Sequence, residues 1–192
     1  CLTWGARPDE VDRELPGDDL LANADIVATR AITIDAPPSA IWPWLVQMGS
    51  GRGGVYTYDW IENLFGLSMH STDEILPEFQ EIKVGDEFQI GRGRPTMRVE
   101  VLEPERFLAF RFEDQTWVWI FALVPEDGVT RLLSRNRIAT PHASAVSRLA
   151  NMMIMEPGSL VMERKMLQGI KERAERLAGE RGPLDPVPPA MR

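Results

Sequence analysis

The chain has 192 residues, 44% of them hydrophobic and 26% charged, a composition that excludes a disordered or disulfide-stapled protein and favours one globular core. Its formal net charge of −8 would repel a phosphate backbone, so nucleic acid is not expected as a partner. Cys1 is the one cysteine, which excludes an intrachain disulfide and a cysteine cluster for zinc.

The sequence shows neither a signal peptide nor an apolar run near the roughly 20 residues that span a bilayer. We therefore expect no transmembrane segment in this chain and a cytoplasmic location. The sequence begins with Cys rather than Met, so attachment to a membrane through a missing N-terminal segment or through an acylated Cys1 is the alternative. The oligomeric state is left open.

The first half of the chain predicts an arm, a strand and two helices. Residues 1–25 are polar and broken by proline and glycine, which indicates an irregular, extended arm. Residues 26–35 alternate and are rich in β-branched side chains, as in a strand. Apolar spacing predicts a helix over 41–48 and another over 58–67, and the glycine-rich residues 49–54 between them predict a loop.

The second half predicts a run of strands and then helices. Short connections between the strands indicate an antiparallel meander, with strands predicted over 85–90, 96–102, 107–112, 116–124 and 129–139. A short apolar helix is predicted over 143–155 and a long amphipathic one over 157–179, with Glu163 on its polar face. The predicted domain is 26–180, and 181–192 form a flexible, proline-rich tail.

This order of elements predicts an α+β fold in which a bent sheet and a long helix enclose space for a ligand. Five segments stand out in the sequence: residues 4–6 (WGA), 15–18 (LPGD), 36–49 (APPSAIWPWLVQMG), 51–63 (GRGGVYTYDWIEN) and 162–171 (MERKMLQGIK). They resemble a bacterial branch of the SRPBCC superfamily, which includes START-like lipid-transfer domains, birch-pollen-allergen-like proteins and polyketide cyclases or dehydrases. The resemblance implies the helix-grip fold, a curved antiparallel sheet wrapped around a long C-terminal helix, but not a ligand or a reaction.

Three groups of residues are candidates for the wall of a cavity. The first is aromatic and alternates along the most apolar strand, the second is polar and shares one face of the last strand, and the third lies on the long helix. In that order they are Trp117, Trp119 and Phe121; Ser134 and Asn136; and Met162, Met166 and Ile170. Each group has an ordinary alternative, since aromatic residues and methionines also fill cores and the polar pair can satisfy itself. Arg131, Arg135 and Arg137 are expected to form a solvated face.

Candidates for catalysis are weaker. Tyr56, Tyr58, Glu62 and His70 surround the predicted second helix and would suit acid–base chemistry, although acidic residues there also favour the helix dipole. Two histidines in different contexts do not make a metal site, so neither a metal nor a cofactor is expected. The glycine-rich loop lacks the Gly-Lys-Ser/Thr ending of a phosphate loop, and the resemblance instead places it beside a cavity mouth.

The first functional hypothesis is the binding or transport of a small hydrophobic molecule, lipid-like or polyketide-like. It predicts an enclosed, mainly apolar cavity of at least about 300 Å3. A cyclase or dehydrase acting on a hydrophobic substrate would add titratable groups inside that cavity. A regulatory interaction domain would have a closed cavity and an exposed apolar patch.

Overall fold

The computed structural model describes residues 2–58, 70–89, 96–141 and 145–181, with the side chains of the last helix described over 157–180. Almost all of the helix predicted over 58–67, including Glu62, lies outside the described residues. So do Cys1, His142 and the tail from residue 182 onward. Within the described part of the chain, no helix combines the length and the hydropathy that a bilayer crossing requires.

In the part of the chain that the structure describes, six strands form one antiparallel sheet with the order β1-β6-β5-β4-β3-β2. The strands are β1 (Ile26–Ile34), β2 (Glu87–Gln89), β3 (Thr96–Glu103), β4 (Phe107–Phe112), β5 (Trp117–Glu126) and β6 (Val129–Ile138). Consecutive strands from β2 to β6 are neighbours in the sheet, which confirms the predicted meander. β1 pairs with β6 and forms the other edge of the sheet. A register shift between Val99 and Val101 bends β3.

Within the described residues, three α-helices accompany the sheet: α1 (Pro8–Asp12), α2 (Pro38–Val46) and α3 (Ala145–Arg181). The prediction of two separate C-terminal helices was wrong, because α3 continues through Pro157. A proline inside a helix removes one hydrogen bond and favours a kink, but it does not have to end the helix. The α+β helix-grip prediction is confirmed, since α2, α3 and the curved sheet form one unit.

Both faces of the sheet are covered, each by a different part of the chain. The inner face packs against α2 and α3, and the core there includes Ile34, Trp44, Phe110, Phe121 and Ile170. The outer face carries the other side chains of the same strands, including those of β5, and packs against the arm. This explains why β5 is apolar on both of its faces.

The arm is more regular than predicted, because it contains α1 and a 3-10 turn over Asp18–Leu21. The prediction that Arg131 and Arg135 are solvated was also wrong. Arg131 is 5% exposed and pairs with Glu10, the two groups lying 2.6 Å apart. Arg135 is 3% exposed and lies 2.6 Å from Asp18.

Arg137 is partly exposed and pairs with the same Asp18 at 3.2 Å. The three guanidinium groups therefore hold the arm to the outer face of β6. A further carboxylate–guanidinium pair joins Arg7 to Glu126 at the end of β5. Buried arginines in an otherwise apolar setting need such partners, and the arm supplies them.

Candidate functional site

A pocket of about 250 Å3 lies between the inner face of the sheet and the middle of α3. Its wall is mostly apolar and opens partly to solvent, so it is smaller and less enclosed than the cavity predicted from the sequence. The lining comes from three places: β5 and β6, the chain just after the glycine-rich loop, and α3. The described lining residues are Val55, Thr57, Trp117, Trp119, Asn136, Ser159, Met162, Glu163 and Met166.

Glu163 is the one ionisable side chain among these described lining residues, and it is 7% exposed. It forms an ion pair with Arg30 of β1, which is 1% exposed. Arg30 lies directly opposite Ser134 in the ladder between β1 and β6, so both residues point toward the same stretch of α3. An ion pair buried to this degree is stable only if further hydrogen bonds satisfy both groups.

Two parallel hydrogen-bond chains connect the pocket tryptophans to the Glu163 carboxylate. In one, Nε1 of Trp119 donates to Oγ of Ser134 at 2.9 Å, and Ser134 donates to Oε1 of Glu163 at 2.5 Å. In the other, Nε1 of Trp117 donates to Oδ1 of Asn136 at 2.8 Å, and Nδ2 of Asn136 donates to the same Oε1 at 3.0 Å. The indoles are thereby fixed in position, since each indole N–H group has a hydrogen-bond partner.

The protonation of Glu163 reflects two opposing influences. Burial raises the pKa of Glu163, because the charged form loses its hydration, while the charge of Arg30 and the hydrogen bonds from Ser134 and Asn136 act in the other direction. The net result is a raised pKa. A carboxyl group with a raised pKa beside an apolar pocket is a common feature of functional sites.

Tyr56 fixes the loop that carries Val55 and Thr57 to the pocket. Its buried hydroxyl donates to the carbonyl oxygen of Trp44 at 2.9 Å, and burial raises its pKa above the usual value. Gly169 of α3 packs so closely that a Cβ there would lie 2.7 Å from the Tyr56 carbonyl oxygen. Tyr56 is therefore a structural anchor between α2 and α3.

The glycine-rich loop over 49–54 is closed on itself and tied to the core. Gly49 and Gly54 exchange backbone hydrogen bonds, and the guanidinium of Arg52 lies between the rings of Phe79 and Phe88, at 4.4 and 4.3 Å. Arg52 also donates to the carbonyl oxygens of Val46 and Phe79. The positive charge of Arg52 therefore stabilises the folded loop through its contacts with these two rings and two carbonyl oxygens.

The structure brings most of the sequence-predicted ligand residues to this pocket. Trp117, Trp119, Asn136, Met162 and Met166 line it, and Ser134 lies directly behind the wall. Phe121 and Ile170 belong to the adjacent core. The weak catalytic candidates do not meet there: Tyr58 is half-buried and His70 exposed, neither lines the pocket, and Glu62 lies outside the described residues. No group of three potential metal ligands occurs among the described residues.

Sequence reasoning missed the two charged residues at the centre of the site, and it assigned Glu163 to the solvated face of α3. Glu163 precedes Met166, Leu167 and Ile170 by three, four and seven positions, which is the spacing of the buried face. Arg30 likewise lies among the side chains of β1 that face the inner side of the sheet. Opposite charges at two such positions are the signal that would have identified the pair.

No protein-family model matches the sequence, and no curated protein matches it either. Solved structures do match. KanY, determined in solution, is 12% identical, with 78% of this chain and 97% of KanY covered and a TM-score of 0.52. A structural-genomics target from Thermobifida fusca is 14% identical, with coverages of 79% and 94% and a TM-score of 0.50.

A third match is Cgl2372 from Corynebacterium glutamicum, described as polyketide-cyclase-like. It is 18% identical, with 79% of this chain and 88% of Cgl2372 covered, and its TM-score of 0.37 is too low to support a conclusion. At these identities the similarity establishes the fold alone. The chain has the helix-grip fold, and it shares this fold with KanY and with the Thermobifida fusca protein.

Proposed function

We propose that this protein binds a small hydrophobic molecule in the pocket between β5, β6 and α3. The observation that carries the proposal is the pocket itself, a mostly apolar space of about 250 Å3 beside a single buried carboxylate. Ligand sites are typically concave and apolar, with a few convergent polar groups that orient the ligand. This pocket has that combination, and its described polar members are Thr57, Asn136, Ser159 and Glu163.

The rigidity of the wall supports a binding role. Trp117 stacks on Phe112 with ring centroids 4.2 Å apart, and Trp119 contacts Phe121 at 4.8 Å. Together with the hydrogen bonds of both indoles, these contacts hold the aromatic wall in one arrangement before a ligand arrives. A preformed wall lowers the entropic cost of binding.

Two measurements test the proposal on the full chain. Native mass spectrometry identifies any small molecule that copurifies. A panel of fatty acids, sterols and aromatic polyketides is then titrated while the fluorescence of the six tryptophans, which include Trp117 and Trp119 of the pocket wall, is recorded. Met162→Glu places a charge in the pocket wall, and Val161→Glu is its matched control, since Val161 is the next residue of α3 and is 53% exposed.

We expect at least one class of the panel to bind, with at least about tenfold weaker affinity in Met162→Glu and unchanged affinity in Val161→Glu. If no member binds and nothing copurifies, the proposal is wrong. Equal loss in both variants would place the binding site elsewhere.

One observation favours a second candidate, a cyclase-type or dehydrase-type activity. Glu163 has the position and the raised pKa of a general acid or base facing a bound molecule. Mass analysis of a bound polyketide after incubation separates the two functions. An unchanged mass and structure support binding alone, whereas a cyclised or dehydrated product that Glu163→Gln fails to form supports catalysis.

A further inference from the structure

We propose that the ligand is a small planar aromatic alcohol whose hydroxyl group donates a hydrogen bond to Oε2 of Glu163. This inference rests on the proposed binding function and specifies the chemistry of its ligand. It follows from counting the hydrogen-bonding sites of the carboxylate, from the shape of the wall and from the distribution of charge.

Donors from the described residues fill all but one of the acceptor sites of the Glu163 carboxylate. A carboxylate offers about four lone-pair sites. Oε1 accepts from Ser134 and Asn136, and Oε2 accepts from Arg30. These three donors all lie on the sheet, on β6 and β1, and Glu163 itself lines the pocket. We assign the fourth site, on Oε2, to a molecule in the pocket.

A ligand without a donor would leave that site empty after displacing water. Burying a charged acceptor without its partner costs more than burying an apolar atom of the same size. A ligand hydroxyl restores the lost hydrogen bond, and bonds to charged acceptors are the stronger ones. The pocket therefore favours a hydroxyl over a hydrogen or a methoxy group at this point.

The remaining wall favours a flat ring system of modest size. Trp117 and Trp119 present indole rings to the pocket, and Met162 and Met166 face them from α3 with polarisable thioethers. An apolar cavity of about 150 Å3 holds benzene, so about 250 Å3 leaves room for a somewhat larger, two-ring molecule.

Charge argues against an acidic ligand. Arg30 is already paired with Glu163, so its charge is compensated, and the ionisable group in the described pocket wall is itself acidic. The chain as a whole carries −8. A ligand carboxylate would lie beside the Glu163 carboxylate and repel it, whereas a neutral hydroxyl would not.

Isothermal titration calorimetry at neutral pH with three matched probes tests the proposal. The probes are 2-naphthol, 2-methoxynaphthalene and 2-naphthoate. We expect 2-naphthol to bind at least about tenfold more tightly than 2-methoxynaphthalene, the difference that a hydrogen bond to a charged acceptor makes, and 2-naphthoate to bind most weakly.

Variants assign the preference to Glu163. The paired change Arg30→Met/Glu163→Met removes both charges and should reduce the 2-naphthol preference to about one, with 2-methoxynaphthalene binding retained. Glu172→Gln, at an exposed position of the same helix, should leave the preference unchanged. Glu163→Gln keeps the shape of the side chain but removes the charge of the acceptor, and it should also lower the preference, which keeps the test decisive if the paired variant does not fold.

The outcomes separate this inference from the proposed function. Equal binding of 2-naphthol and 2-methoxynaphthalene overturns the hydroxyl assignment and leaves hydrophobic binding intact. A preference that survives in the paired variant, or that Glu163→Gln leaves unchanged, overturns the role of Glu163. Tightest binding of 2-naphthoate, or no binding of any probe, overturns the ligand class, and the broader ligand panel then decides on the binding function alone.

Discussion

Arg30 of β1 and Glu163 of α3 are paired in the interior, and each is the partner that makes burial of the other tolerable. The two residues are 133 positions apart, so the pair also joins the first strand of the sheet to the last helix. Their coupling can be measured by a double-mutant cycle.

Replacing one partner should be more damaging than replacing both. Arg30→Met leaves an uncompensated buried carboxylate and should lower the free energy of unfolding by about 3–5 kcal/mol. Arg30→Met/Glu163→Met should recover most of that loss. Urea unfolding followed by circular dichroism measures both values, and a double variant as unstable as the single one would contradict the prediction.

The Glu10–Arg131 pair should make stability depend on pH. Burial acts to raise the pKa of Glu10, but the hydrogen bonds and charge of Arg131, with the backbone N–H of Arg7, outweigh it and lower that pKa. Because the pKa is lower in the folded state, the stabilisation is present above the unfolded value of about 4.3 and is lost as pH falls through the folded value. The stability deficit of Glu10→Gln should therefore be largest near pH 7 and shrink below about pH 4.

Urea midpoints of the wild-type protein and of Glu10→Gln between pH 7 and pH 3 measure this difference. Glu14→Gln, at an exposed position of the arm, is the control and should follow the wild-type profile. A deficit that does not vary with pH would show that the side chain acts through packing alone.

Asp18 should be the most sensitive single residue of the arm. Its carboxylate binds Arg135 and Arg137 and accepts a hydrogen bond from the backbone N–H of Leu15. Asp18→Ala should cost about 3–5 kcal/mol, because it leaves the buried Arg135 without its charged partner. Asp19→Ala removes an exposed neighbour and should cost less than about 0.5 kcal/mol.

Binding of a hydrophobic dye distinguishes loosening of the arm from global unfolding. With the arm loosened, Asp18→Ala should bind more dye than Asp19→Ala at temperatures where both retain the wild-type far-ultraviolet spectrum. Equal dye binding would mean that the arm stays in place without this carboxylate.

Adding one methyl group at Gly169 should disturb the pocket through the contact between α3 and Tyr56. Gly169→Ala forces the helix away from Tyr56, and such overpacking costs about 1–3 kcal/mol. Gly158→Ala in the same helix meets no atom within 4 Å and should instead stabilise the protein by up to about 1 kcal/mol. Thermal unfolding compares the two, and equal effects would contradict the close contact with Tyr56.

The strands could be predicted from the sequence because their evidence is local. Alternation of apolar and polar side chains, with turn residues between, located β4 to the residue and β5 and β6 to within one or two residues. The continuity of α3 could not be predicted in the same way. Whether a helix passes through Pro157 depends on the packing of the whole helix, which local spacing does not contain.

The charged residues show the limit of such reasoning. Arg131 and Glu10 are 121 positions apart, and no short-range sequence pattern indicates that they form a pair. A charge in an amphipathic segment is assigned to solvent by default, which is correct for most residues and wrong for Arg135 and Glu163. The aromatic wall was easier to predict, since alternating Trp117 and Trp119 had to share one face of β5.

The arm on the outer side of β6 also bears on how the pocket can change its size. Because the arm binds three guanidinium groups on the outer face of β6, the sheet has little freedom to flatten or to curl further. Any widening of the entrance must then come from the opposite side, by displacement of α3 or of the turn that carries Val55 and Thr57. We therefore expect the sheet to keep its curvature when a ligand binds, and any adjustment to occur at α3 or at that turn.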